Sequence, residues 1–305
     1  MKRWILIAPM FCWVGCAGGG TKGSQYDLGL YHKNHNENEK ATDAFQRSVL
    51  IDASDPTPRE ALAQAYFERG WRAKAIQEWE LVLENSSTDP AFYQQEGKPQ
   101  RSAAWINDGI AAHKRAITAL ITAYTAQGEE SVGKVLWPDA AVAFKRITEL
   151  DPENASAWTS YGKAAKKSKD ANGYYAAFKK LAKLQPKEAD VQKDLGYAAF
   201  GLEKLGEAEA AFRKYTQLKP EDPKGYNNLG TLLAQTDRNA SAIKAFDKAL
   251  ELQPGMPQAL NGQGTAHFNQ KEYDHARALW AKVLEQDPDD AVAKENIRTL
   301  TQMGY

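Results

Sequence analysis

The chain has 305 residues, of which 43% are apolar and 26% charged, with 39 basic side chains against 39 acidic. That is ordinary globular material, and it lacks the cationic excess that drives nucleic-acid binding. Both cysteines, Cys12 and Cys16, lie near the N-terminus, so no disulfide framework is expected in the body of the chain.

The first element is the N-terminal segment. Met1-Lys2-Arg3 precedes an apolar run from Trp4 to Val14, and Gly15-Cys16-Ala17-Gly18 follows. The run is too short to span a bilayer as a helix and suits the core of a signal peptide. The Val14-Gly15-Cys16 ending resembles a bacterial lipobox, with Trp13 standing where that motif favours leucine. The resemblance implies that residues 1–15 are a lipoprotein signal peptide and that Cys16 is the site of lipid attachment. Two acyl chains, at about 0.8 kcal/mol per buried CH2, suffice for stable anchoring. No aspartate follows the cysteine, and the same resemblance then implies a place in the bacterial cell envelope, at the outer membrane and facing the periplasm. Residues 16–24 are expected to form a flexible tether.

From residue 25 to residue 302 the dominant signal is a period of 34. Pro152, Pro186, Pro220, Pro254 and Pro288 recur at that interval and close the phrases TELDP, AKLQP, TQLKP, LELQP and LEQDP. Such a period marks stacked helix–turn–helix units. In chain order the units are 22–55, 56–89, an enlarged unit 90–154, then 155–188, 189–222, 223–256 and 257–290, with a capping helix over 291–302.

The first unit carries Leu28, Gly29, Ala41 and Phe45, and the second Leu62, Ala63, Tyr66, Ala75, Trp79 and Val82. Pro56 and Pro90 come three residues late, which predicts longer connecting turns. In the enlarged unit the pattern predicts a long helix from about Ser102 to Gln127 and a loop from Gly128 to Trp137. A second helix with Ala140, Phe144 and Ile147 follows. The loop aromatics Phe92, Tyr93 and Trp137 are candidate secondary contacts.

The four regular units repeat one set of spacings. Trp158, Tyr161, Gly162, Tyr174, Phe178 and Leu181 belong to the first; Leu195, Gly196, Ala208, Phe212 and Tyr215 to the next. Leu229, Gly230, Ala242 and Phe246 follow, then Leu260, Gly264, Ala276, Trp280 and Val283. Intervals of three and four put each set on one helical face. A glycine at position 8 lets two helix backbones approach, large apolar groups fill the space between, and the proline stops the second helix.

The W-x2-Y-G of 158–162 and the L-G…A-x3-F…P of the next two units resemble the tetratricopeptide repeat. The resemblance implies an all-α, right-handed superhelical solenoid in which no unit buries its apolar face alone. It also implies a concave groove lined by the first helix of each unit. Carried over by position, the partner-binding residues are Lys193, Tyr197, Phe200, Lys224, Asn227, Thr231, Asn261, Thr265 and Phe268, with Ser156, Thr159, Lys163 and Lys166 before them. Trp158, Gly162, Phe178, Gly196, Phe212, Gly230, Phe246, Gly264 and Trp280 are then structural. Chaperone-binding members of the family hold a C-terminal carboxylate in a two-carboxylate clamp. Lys193 and Asn228 fit that clamp, but Tyr197, Gln258 and Gly262 replace its other members, so that ligand is not expected.

Catalytic chemistry has little support. There is no G-x-S-x-G, no phosphate-binding glycine loop and no H-E-x-x-H. His32 and His35 sit in HKNHNENEK without a cysteine or a second well-spaced pair, and His267 and His275 fall at scaffold positions, so no metal and no cofactor is expected. The lysine run at 163–169 reads as a solvated helix end, with a local acidic contact as the alternative. A non-enzymatic scaffold is the leading expectation: a lipid-anchored repeat protein that assembles or recruits envelope proteins, or extended peptide segments of them, through its groove. The alternatives are an adaptor or regulatory subunit for a cell-wall hydrolase, a soluble repeat adaptor without an anchor, and an enzyme with its chemistry in the enlarged unit.

Overall fold

The computed structural model describes residues 25–95 and 102–305. The signal peptide, Cys16 and the tether all lie outside the described residues. Fifteen α-helices occur among the described residues, and no strand. In chain order they are α1 (Gln25–Asn34), α2 (Asn38–Ile51), α3 (Pro56–Glu68), α4 (Arg72–Asn85), α5 (Ala103–Gly133), α6 (Trp137–Leu150), α7 (Ala155–Lys167) and α8 (Ala171–Leu184). Then come α9 (Ala189–Gly201), α10 (Leu205–Leu218), α11 (Pro223–Gln235), α12 (Asn239–Leu252), α13 (Pro257–Asn269), α14 (Tyr273–Gln286) and α15 (Ala291–Gln302). A short 3-10 turn, Pro90–Gln94, precedes α5.

The helices fall into two compact units, one through Leu120 and one from Ile121 onward, the division lying inside α5. In both, a first-helix glycine faces a second-helix aromatic. A Cβ placed on Gly162, Gly196 or Gly264 would come within 2.6 Å of Phe178, 2.5 Å of Phe212 and 2.5 Å of Trp280. Gly29 meets Phe45 in the same way. These rings are buried, so each pair seals its own hairpin and presents its remaining apolar faces to the next.

The helix ends follow local rules. Asp55, Asn154, Asp170, Asp222 and Asp290 cap α3, α7, α8, α11 and α15, each accepting a bond from a first-turn N–H. Pro152, Pro186, Pro220, Pro254 and Pro288 stand just past the last residue of α6, α8, α10, α12 and α14, where a missing N–H costs nothing. Pro56 and Pro90 do something else. Each follows a capping aspartate, Asp55 or Asp89, as the first residue of the next element, a position suited to its fixed φ. The expected longer turn after α2 is therefore absent: residues 52–55 link α2 to α3 just as 151–154 link α6 to α7.

The loop expected from Gly128 to Trp137 is also corrected. α5 continues to Gly133, and only residues 134–136 turn before α6 starts at Trp137. The cause is Gly128, whose Cβ would lie 2.6 Å from Phe144. It is the position-8 glycine of a regular unit beginning at residue 121, and the last part of α5 is that unit's first helix. The earlier part of α5 carries Trp105 and Gly109 at the same interval as Trp158 and Gly162. Gly109 lies against the ring of Tyr93, its Cβ position 2.9 Å from the hydroxyl oxygen, so an aromatic from the 3-10 turn takes the place of a second helix. Tyr93 is thus buried, bonded through its hydroxyl to the N–H and C=O of Ser87, and is no exposed contact. Arg115 closes the same region with a bidentate bond to Glu60 at 2.8 and 2.7 Å.

A further regularity marks the turn inside each hairpin. Asn36, Gly70, Val135, Lys169, Glu203, Asp237 and Lys271 occupy one repeat position, and all have positive φ, from 56° to 77°. The next residue's N–H then bonds back to the carbonyl five before it, as in Asp170 to Ala165 and Glu272 to His267. Val135 is the poorest residue for this role, because a left-handed backbone costs an ordinary residue about 1–2 kcal/mol and a β-branched one no less. Its side chain is 65% exposed and contributes little packing. Val135→Gly is expected to stabilise the second unit by about 1 kcal/mol, read as a higher midpoint in thermal unfolding followed by circular dichroism.

Candidate functional site

The first helices of the second unit, α7, α9, α11 and α13 with the end of α5, carry the positions named from the sequence. Side chains link them in series. Lys166 on α7 pairs with Asp194 on α9 at 2.9 Å, which is the local acidic contact offered as the alternative for the lysine run. Asn228 on α11 donates to the Tyr197 hydroxyl on α9 at 2.7 Å. Asn228, which fits the clamp, is thus bonded to Tyr197, the residue that replaces one of its members. Tyr174 also donates to Asp194 at 2.5 Å, and burial together with that carboxylate raises its phenol far above the usual range.

Each named position has a distinct setting. Lys193 pairs with Asp190 at 2.5 Å, and that bond raises the ammonium and lowers the carboxyl. Tyr197 is 40% exposed, stacking edge-on with Phe212 while its hydroxyl faces Asn228. Lys224 is exposed at the start of α11. Thr231 and Thr265 are exposed, with hydroxyls donating to the Asn227 and Asn261 carbonyls at 3.0 Å. Phe200 and Phe268 are half-buried against the core, Phe268 beside Tyr273 and Trp280, so both add packing as well as surface.

Asn227 and Asn261 occupy the same repeat position on successive first helices. The Oδ1 of each is buried and meets no hydrogen-bond donor among the described residues; Asn261 Nδ2 reaches Asp290 at 3.3 Å. Most buried polar atoms are paired, so two equivalent unpaired carboxamide oxygens, one repeat apart, form an unfilled polar edge along these helices.

At the α5–α7 end lies a cavity of about 470 Å³, lined by Val132, Trp137, Phe144 and Ala164 together with Glu129, Ser160, Lys163, Lys166 and Lys167. Its wall is mostly apolar. Lys167 lies 6.0 Å from the centre of the Trp137 ring, and neither Lys163 nor Lys167 has a carboxylate partner among the described residues. Sequence reading assigned Trp137 to a loop and missed this cavity. The available signal was the 34-residue step from Gly162 back to Gly128, which puts Glu129 and Val132 in register with Lys163 and Lys166.

The comparisons agree with the repeat geometry. Residues 176–223 and 227–291 match a tetratricopeptide repeat family model. Among solved structures, the chain is similar to a crystal structure of MamA protein (TM-score 0.52, 24% identity, 56% of this chain and 94% of that one). It is also similar to YrrB, described as a TPR protein with an unusual peptide-binding site (TM-score 0.53, 19% identity, 63% and 97%). A third is MamA 41-end from Desulfovibrio magneticus RS-1 (TM-score 0.51, 17% identity, 56% and 97%). No curated protein matches the sequence. The glycine–aromatic hairpins, the 34-residue register and these likenesses together establish an all-α fold of stacked helical hairpins, with the tetratricopeptide repeat matched over residues 176–223 and 227–291.

Proposed function

We propose that the chain is a non-enzymatic interaction scaffold whose second unit holds an extended peptide segment of a protein partner. The observation that carries this reading is the pair of buried, unpaired carboxamide oxygens of Asn227 and Asn261. Turned outward, both carboxamides meet the N–H donors of a peptide backbone laid across the first helices, and a carboxamide answers donor and acceptor alike. The cavity beside Trp137 takes one apolar side chain of that peptide. Lys163 and Lys167 at the same cavity favour a neighbouring carboxylate on it. YrrB's peptide-binding site supports the same kind of use for this fold.

The Val14-Gly15-Cys16 motif extends the proposal to a lipid anchor at Cys16, which would place the scaffold in a bacterial envelope, at the outer membrane facing the periplasm. There it assembles or recruits a complex. Palmitate labelling of cells that is lost in Cys16→Ser supports the anchor; labelling that persists removes it.

The groove is tested with displayed peptides selected against the full chain. Asn227→Ala combined with Asn261→Ala is expected to weaken the selected peptides at least about tenfold, on the scale of two lost hydrogen bonds, with the melting temperature unchanged. Equal affinity in the double variant would remove the peptide site from these helices.

A further inference from the structure

The turn between α13 and α14 gathers three side chains that the sequence scatters over nine positions. His267 lies in the last turn of α13, Glu272 immediately precedes α14 and His275 lies in its first turn. His267 Nδ1 is 2.5 Å from Glu272 Oε2, and the two imidazoles stack with centroids 5.3 Å apart at 23°. One ligand atom from each of the three falls within 4.8 Å of the others.

We propose that His267, Glu272 and His275 form a divalent transition-metal site of the zinc class. Two imidazoles and a carboxylate are a ligand set that zinc accepts, at about 2.0–2.2 Å from each donor. Tetrahedral bonds of that length space the donors about 3.3–3.5 Å apart. The present cluster reaches that spacing by small side-chain rotations, the close His267–Glu272 contact opening and His275 drawing in. His267 is largely shielded, with 16% of its side chain exposed. Glu272 and His275 face solvent, which gives an ion its entry path and leaves the rest of its coordination sphere to water. Bound metal would clip the hairpin turn, whose Lys271 already holds the left-handed backbone that brings Glu272 beside His267.

The first repeat supplies an internal comparison. Its equivalent residues are His32, Glu37 and Lys40, and the same histidine–glutamate contact of 2.5 Å recurs. There, however, Lys40 donates to Glu37 at 2.8 Å and holds that carboxyl below the usual range, with His32 adding to the effect. One fold position thus carries an ammonium in one repeat and a second imidazole in another. The lysine turn is a salt-bridged lock, and the histidine turn has the donors of a metal site.

The test is calorimetric titration of zinc chloride into the untagged full chain, with His275→Lys and His267→Gln as variants. One zinc per chain is expected, with affinity falling by at least about tenfold in either variant, since a direct ligand outweighs the outer-shell partners worth 10–100-fold. In chelator, His275→Lys should melt like the parent, because Lys40 shows that lysine fits this position. The parent alone should gain thermal stability on adding zinc. Absence of one-to-one binding, or binding that survives both substitutions, would overturn the site.

Discussion

Gly230→Leu is expected to cost the second unit about 3 kcal/mol or more and to unfold neighbouring repeats with it. Gly230 lies on α11 with its Cβ position 2.8 Å from the Phe246 ring, and Gly262 on α13 presses the same ring from the next repeat at 2.5 Å. Phe246 is fully buried. A helical glycine costs about 1 kcal/mol relative to alanine, and the chain accepts that cost here to let three helices meet on one phenylalanine. Overpacking ordinarily costs about 1–3 kcal/mol, and the ring has no free side to move toward. Because each repeat buries its faces only on its neighbours, hydrogen exchange should show α11, α12 and α13 losing protection together. Gly206→Ala is the control: no atom lies within 4 Å of its Cβ position, so that change should be neutral or slightly stabilising. Equal loss at both glycines would mean that the close approach is not what holds the array.

Glu78→Ala is expected to destabilise the first unit by about 2–3 kcal/mol. Glu78 on α4 meets Arg59 on α3 at 2.6 Å, with side chains only 19% and 11% exposed. Arg59 Nε is buried and finds no acceptor, so the guanidinium already depends on this carboxylate. Removing Glu78 leaves a poorly solvated cation. The double change Arg59→Met with Glu78→Leu should recover most of the loss, since it removes both charges and keeps the volume. By contrast, Lys33–Glu68, with side chains 37% and 40% exposed, should be worth less than about 1 kcal/mol. Urea unfolding of the four proteins separates these cases; a loss in Glu78→Ala no larger than at Lys33 would contradict the burial argument.

The fold was legible because its cause is local and periodic. A glycine at one position and an aromatic sixteen residues later meet in every hairpin but α3–α4, where Ala63 holds the glycine's place, and the repeat register alone pairs them. The misreadings share a different origin. Gly128 and Gly133 suggested a loop, yet Gly128 is the contact glycine for Phe144, and Gly133 has no atom near its Cβ position. Pro56 and Pro90 looked like late stops because the proline period was counted without the aspartate before each, which makes them helix starters. Tyr93 looked exposed because its partner, Gly109, follows it by sixteen residues, the reverse of the glycine-then-aromatic order of the hairpins. The lysine-lined cavity and the His267–Glu272–His275 cluster were invisible for a further reason. Both depend on where a turn with positive φ redirects the chain, and among the described residues only Gly70 marks that turn with a glycine. The groove residues were reachable through the repeat register, but which of their atoms lack partners was not.

The central claim, that the first helices of the second unit hold a partner, is tested most directly by site-specific photo-crosslinking in cells. A photoreactive residue would replace Thr231 or Lys163 in one set of strains, and the exposed second-helix residues Lys214 or Lys248 in another. The account predicts one and the same protein captured from positions 231 and 163, little from 214 or 248, and competition by the selected peptide. Capture only from the second-helix positions, or equal capture from all four, would contradict it.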